Sequence, residues 1–155
     1  LAVARRVEAR TSTLEVRLLL KGAQARFLAG EAESAAGMLA EVERVCAQPE
    51  HTDVPGLLRA LRGNAGLHAR AGRSQAAVQL LTAGVELCRR RSPRGSGDTV
   101  LLLEELGIVH LGAGDRAAAL ASFREALRGL EALPSPTPEA LQRLRQRVES
   151  MASGK

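Results

Sequence analysis

The chain of 155 residues repeats part of its own pattern at an interval of 42 residues. Shifting the sequence by that interval aligns three segments: FLAGEAESAAGMLAEV from Phe27, ARAGRSQAAVQLLTAG from Ala69 and LGAGDRAAALASFREA from Leu111. Each segment has an Ala-Gly pair, then an alanine, and then a large apolar residue at a constant distance from that alanine. A constant period with small and large residues in phase predicts a solenoid, because each unit must bury its apolar face against the next.

One unit of the repeat has the pattern of two helices. Apolar residues recur at helical spacing through Leu106 and Leu111, and the run stops at Gly114, a residue type that ends helices in the left-handed conformation. Asp115 is a good N-cap for a second helix. The apolar stripe of that helix consists of Ala119, Leu120, Phe123, Ala126, Leu127 and Leu130. Each unit is therefore predicted to be an antiparallel helical hairpin, in which the alanine lets the two helices approach closely.

The same patterns divide the whole chain. First helices are predicted at 13–28, 55–71 and 99–112, second helices at 32–47, 74–91 and 116–132, and a last helix at 138–151. The repeat units are assigned to residues 11–52, 53–97 and 98–136, followed by a capping helix and tail at 137–155. Ser12 and Glu15 form a capping box, which predicts a helix start. Residues 1–10 are then expected to be the tail of an earlier unit's second helix.

The last predicted helix has one apolar side. Its stripe consists of Leu141, Leu144, Val148 and Met151. The side predicted to face away from the core carries Arg143, Arg145, Arg147 and Glu149. A helix with this pattern is typical of the cap that covers the exposed side of the last unit in a solenoid.

The third unit resembles a tetratricopeptide repeat. Leu103 stands where this family often has Trp, Leu106-Gly107 match its Leu-Gly pair, and His110 replaces its usual Tyr. The turn and the three second-helix signature positions fall on Gly114-Asp115, Ala119, Phe123 and Ala126. The first two units depart from the pattern at Gly22, Val42, Asn64 and Gly84. The resemblance implies an all-α fold, a right-handed α-solenoid of antiparallel hairpins, with a period longer than the family's usual value of about 34 residues.

Composition narrows the class of partner. The formal net charge is +5, with 22 basic residues, of which only Lys21 and Lys155 are lysines, against 17 acidic ones. The absence of Tyr and Trp, with only two Phe, argues against a nucleic-acid binder, which would need rings to stack on bases. Charges interrupt every apolar run well short of the roughly 20 residues of a membrane-spanning helix. We therefore expect a cytoplasmic protein that does not act in a membrane.

The chemically reactive residues have structural interpretations. Cys46 and Cys88 are equivalent in the repeat to Leu130, which indicates a packing position, although an exposed thiol beside the arginines after Cys88 would have a depressed pKa. His68 and His110 occupy the Tyr position of the family, where a half-buried ring with one hydrogen-bonding edge is expected. The sequence has no nucleophile paired with a base and no metal-ligand spacing. The prediction is a protein without catalytic residues, metal or cofactor.

The segment RRRSPRGSGDT, from Arg89 to Thr99, is the densest basic run. A solvated connector is its simplest interpretation. Contact with an anionic partner and phosphorylation of Ser92, which the neighbouring arginines would stabilise, both remain open.

Two functions are compatible with a helical-repeat array. The first is a scaffold that binds a peptide or a partner protein in its concave groove. The second is a structural or oligomerising segment of a larger signalling or transcription regulator, in which the repeats bury against another domain or a second copy and bind no free ligand.

The resemblance to the family also implies which residues line the groove, since family members use defined positions of each first helix. Carried onto this sequence, those positions give the groove residues Arg17, Gln24, Phe27, Arg59, Arg62, Arg70, Leu101, Glu104, Ile108 and Leu111. Apolar residues lie at both ends of this set and arginines in the middle. Arg62, Gly66 and Arg70 lie at successive turns of one helix, so the arginines can converge on a carboxylate or phosphate. The expected ligand is an extended or helical peptide with acidic residues between apolar anchors. The alternative is that these arginines are solvated or paired within the protein, because arginine is abundant throughout the chain.

Overall fold

The computed structural model describes residues 2–47, 54–93 and 95–153, with side chains described from Thr13 onward. Within these ranges the chain forms seven α-helices and no strand: α1 (Ala2–Leu28), α2 (Ala32–Cys46), α3 (Val54–Arg70), α4 (Ser74–Arg91), α5 (Gly97–Gly112), α6 (Arg116–Glu131) and α7 (Pro138–Ala152). α1 packs against α2, α3 against α4 and α5 against α6, and the pairs stack along the chain. The molecule is an all-α solenoid of helical hairpins, as the repeat predicts.

A left-handed glycine ends the first helix of each hairpin. Gly30, Gly72 and Gly114 have φ angles of 80°, 74° and 82°, a conformation that costs residues with a Cβ about 1 kcal/mol or more. In all three turns the residue after the glycine donates its backbone N–H over 2.9 Å to a carbonyl in the last turn of the helix: Glu31 to Arg26, Arg73 to His68 and Asp115 to His110. The three turns are therefore one capping motif used at equivalent positions of the repeat.

The helix boundaries agree with the prediction within two residues at every end except one. The predicted start near Ser12 is wrong, because α1 runs unbroken from Ala2 to Leu28. Residues 2–10 therefore continue α1 and do not form the tail of a separate helix. Residues 2–21 contain no Gly or Pro and are rich in Ala, Arg, Glu and Leu, so helix propensity continues through the Ser-Thr pair. The predicted boundary between residues 52 and 53 lies outside the described residues.

The core is one continuous cluster that runs through all three hairpins. Its repeating small position, Ala35, Ala77 and Ala119, is fully buried, and so is the large position that follows it, Leu39, Leu81 and Phe123. Because alanine has only a methyl group, the two helices of a hairpin approach closely and the larger residue fills the space one turn later. The period observed in the sequence is therefore a packing requirement.

The two cysteines are buried, free thiols. Burial raises the pKa of Cys46 to about 11 and also raises the pKa of Cys88. Cys88, the thiol beside Arg89, is buried, so the exposure that a depressed pKa would require is not met. Desolvation of the thiolate, and next the charge of Asp98, raises its pKa.

Gly107 allows α5 to lie directly against the ring of Phe123. A Cβ at this position would lie 2.6 Å from Cε1 of the ring, which is buried and cannot move away. We therefore expect Gly107→Ala to lower the free energy of unfolding by about 1–3 kcal/mol, in spite of the better helix propensity of alanine. Urea denaturation measures the change. The matched control is Gly37→Ala in α2, where a Cβ meets nothing within 4 Å and stability should rise by about 0.5–1 kcal/mol. Equal effects of the two substitutions would contradict the close contact.

The last helix, α7, covers the third hairpin. Leu144 and Met151 are buried, while Leu141 and Val148 are partly buried. The arginines that were predicted to face away instead contact the hairpin, and this corrects the sequence interpretation. Arg143 pairs with Glu104 of α5 at 3.1 Å, Arg145 with Glu131 of α6 at 2.8 Å, and the Arg147 guanidinium lies 5.0 Å from the Phe123 ring centroid. Long arginine side chains reach the edge of an interface even when their Cα atoms lie outside it.

Candidate functional site

A groove of three adjoining cavities follows the seam between α3 and α5. We call them the large, middle and small cavities, with volumes of about 1100, 510 and 180 Å³. The large and middle cavities share a wall made by Ala69, Arg70, Ile108 and Val109. The middle and small cavities share Arg59 and Arg62. A ligand that follows the seam can therefore contact all three cavities in order.

The large cavity has mainly apolar walls. Phe27 of α1 and Leu39 of α2 form one side, and Ile108 of α5, whose side chain is half exposed, forms another. The polar residues that line it are Glu33, Arg70, Arg73, Ser74, Gln75 and Gln79. Such a cavity suits one or two bulky apolar side chains, because their transfer from water onto these walls is favourable.

The middle cavity is basic. Its lining includes Arg59, Arg62 and Arg70. Gly66 lies beside the Arg70 guanidinium, since a Cβ added at position 66 would be 3.4 Å from Nη1 of Arg70. Among the described residues neither Arg59 nor Arg70 has an ion-pair partner. Two uncompensated guanidinium groups beside an apolar wall attract an anionic group, and their planar donors match a carboxylate.

Arg62 lines the middle cavity, as predicted, but it is paired within the protein. Its Nε and Nη2 atoms donate to Oε1 of Glu105 at 2.9 and 2.5 Å, joining α3 to α5. The pair is partly exposed, with 40% of the Arg62 side chain and 28% of the Glu105 side chain accessible to solvent. The hydrogen bond to Glu105 raises the pKa of Arg62. Arg62 therefore remains charged, but its charge is balanced inside the groove.

A cluster of three side chains supports the apolar wall of the large cavity. The buried His68 ring accepts a hydrogen bond at Nδ1 from Arg73 Nε over 3.0 Å, and packs edge to face against Phe27 with 5.1 Å between ring centroids. The Arg73 guanidinium lies 5.1 Å from the Phe27 ring centroid. Burial, and next the charge of Arg73, lowers the pKa of His68, so the ring stays neutral near pH 7. Phe27 is thus held in place from two sides.

Comparison with known proteins identifies the repeat. A family model described as tetratricopeptide repeat matches residues 54–132, just over half of the chain. The chain belongs to the tetratricopeptide repeat family. The match covers α3 to α6 and therefore includes the three arginines of the groove. The resemblance carried by the third unit is confirmed.

Among solved structures, this tetratricopeptide repeat protein is similar to the N-terminal domain of stress-induced protein-1 (STI-1) from C. elegans. The TM-score is 0.52 at 15% sequence identity, over 91% of this chain and 97% of that chain. At this identity the similarity shows the fold alone. No curated protein matches the sequence significantly.

Only some of the residues predicted from the tetratricopeptide pattern line the groove. Phe27 lies in the large cavity, Arg70 and Ile108 lie between the large and middle cavities, and Leu101 lies in the small one. Four predicted residues line none of the three cavities: Arg17, Gln24, Glu104 and Leu111. Glu104 instead pairs with α7, as described above.

Sequence reasoning missed several lining residues. These are Glu105 on α5, Arg73 at the hairpin turn, and the second-helix residues Ala36, Leu39 and Gln79. The family positions used for the prediction lie on first helices only, so second-helix residues were outside its scope. In the first unit the equivalent positions, Arg26 and Glu31, also form a side-chain pair across the turn, as His68 and Arg73 do.

Within residues that the structure describes, no group of three or more His, Cys, Asp or Glu side chains is placed to hold a metal ion. None of the described helices combines the length and the apolar character needed to cross a membrane.

Proposed function

We propose that this protein is a cytoplasmic, non-enzymatic scaffold whose groove binds a peptide segment of a partner protein. The segment carries bulky apolar residues for the large cavity and a carboxylate for the middle one. The observation that carries this proposal is a basic cavity beside a large apolar one: the middle cavity is lined by Arg59 and Arg70, two arginines without ion-pair partners among the described residues, and Arg70 also lines the large cavity. Membership of the tetratricopeptide repeat family supports the general role in protein–protein interaction.

Arg70 connects the two parts of the proposed ligand. Its side chain lines both the large and the middle cavity, so a carboxylate bound there lies directly beside an apolar side chain held by Phe27 and Ile108. Gly66 leaves space for the Arg70 side chain to lie along α3. The planar donor groups of Arg70 can bind both oxygens of a carboxylate, which favours affinity.

The proposal is tested by panning a random twelve-residue peptide library on the protein and measuring affinities by fluorescence anisotropy. The selected peptides should carry an acidic residue next to apolar ones. The double variant Arg59→Glu with Arg70→Glu should bind them at least about 100-fold more weakly, because it removes two charged hydrogen-bonding groups that each contribute about 1.5–3 kcal/mol. Arg62 is unsuitable for charge reversal, because a glutamate there would face Glu105.

The control makes the same change of charge outside the groove, with Arg124→Glu and Arg128→Glu on the exposed side of α6. This variant should keep its affinity within about threefold at moderate salt, since screening confines charge effects to about 10 Å. A groove variant that stays folded and binds as tightly as the unmodified protein would overturn the proposal.

A further inference from the structure

Among the described residues that line the middle cavity, Glu105 is the one acidic residue. It lies on α5, opposite the arginines of α3, and its Oε1 atom accepts both hydrogen bonds from Arg62. The cavity proposed for a ligand's carboxylate therefore already contains a carboxylate of the protein itself. This carboxylate engages the middle arginine of the three, whereas Arg59 and Arg70 have no such partner among the described residues.

The repeat itself does not require this ion pair. The positions equivalent to Glu105 in the first two units are Lys21 and Gly63, and those equivalent to Arg62 are Leu20 and Glu104. Neither charge recurs in another unit, so neither belongs to the packing pattern that recurs along the solenoid. The pair is specific to the seam between α3 and α5, where the groove lies.

We propose that Glu105 determines specificity by acting as an internal competitor for the ligand. It occupies Arg62 as a ligand carboxylate would, and its charge repels any second acidic residue placed at that point. The groove then selects segments with one acidic residue, bound by Arg59 and Arg70, over segments rich in acidic residues. This proposal rests on the function proposed above, and it uses exclusion as well as attraction to discriminate between ligands.

The test substitutes Glu105→Gln, which keeps the size of the side chain and removes its charge. The random twelve-residue library is panned on the unmodified protein and on this variant under the same conditions. Peptides selected by the variant should contain one more acidic residue, and the variant should bind them about 10-fold more tightly than the unmodified protein does. The double variant Arg62→Gln with Glu105→Gln should not show this increase in affinity, because it lacks the Arg62 guanidinium that Glu105→Gln leaves unpaired.

A purely structural role for the ion pair gives a different result. Glu105→Gln would then weaken binding of acidic and uncharged peptides alike, with a lower melting temperature, and this outcome would overturn the proposal. An unchanged set of selected peptides would also overturn it. A failure of the proposed function gives a third, distinguishable result. If peptides do not bind in the groove, the Arg59→Glu, Arg70→Glu variant binds them as tightly as the unmodified protein does, whichever residue is at position 105.

Discussion

A chain that ends at Pro136, and so lacks α7, should have a free energy of unfolding about 3–6 kcal/mol lower than the full chain. The helix buries two large side chains, Leu144 and Met151, and each contributes about 1.5–3 kcal/mol when it is removed from water. Its removal also uncovers the Phe123 side of the third hairpin, over which Arg147 lies. Urea denaturation followed by circular dichroism measures the change.

The control for this truncation is a chain that ends at Ser153, which keeps all of α7 and should unfold like the full chain. The shorter chain should keep the helical signal of α1 to α6 at low urea, because the capping helix covers an outer side of the stack. Equal unfolding free energies for the two truncated chains would show that α7 is not docked in solution.

Phe123→Ala should lower the free energy of unfolding by about 3–5 kcal/mol, the usual cost of deleting a buried aromatic ring. The ring is fully buried, touches Gly107 of α5 and lies below Arg147 of α7, so it joins three helices. α5 and α6 cannot close the resulting cavity easily, because Ala119 already holds them at close approach. Differential scanning calorimetry and urea denaturation report the loss.

The matched control is Phe123→Leu, which introduces the residue that the other two units carry as Leu39 and Leu81. It should cost less than about 1.5 kcal/mol, because a leucine fills most of the same space. In that background Gly107→Ala should also become less costly, since the atoms that a new Cβ would meet belong to the ring. Equal losses for alanine and leucine at position 123 would contradict the proposed packing.

The helices were predictable because their determinants are local. Gly30, Gly72 and Gly114 end their helices through their own backbone conformation, and the alanine and leucine positions that follow repeat with them. The one wrong boundary, near Ser12, shows the limit of local rules. A capping box indicates where a helix is able to start, but a preceding stretch with high helix propensity can continue through it.

The groove was only partly predictable. Arg59 and Arg70 line it as the family positions indicate, whereas Glu104 belongs to the contact with α7 and its neighbour Glu105 lies in the groove. Adjacent residues on a helix differ by about 100° in direction, so the two glutamates have different surroundings, and a pattern of family positions does not determine which of them faces the groove.

The sequence by itself determined that the chain forms stacked helical hairpins. It also determined where the turn that ends each first helix lies, and which small and large residues pack together within each hairpin. Only the tertiary structure decided which arginines keep their charge available. Arg62 forms an ion pair with Glu105, and Arg143 forms one with Glu104. In each pair the two residues lie on different helices, and the repeat pattern of the sequence does not predict which charged residues come together. The physical reason is that burial repeats with the helix period, while an ion pair between neighbouring hairpins depends on how the hairpins stack.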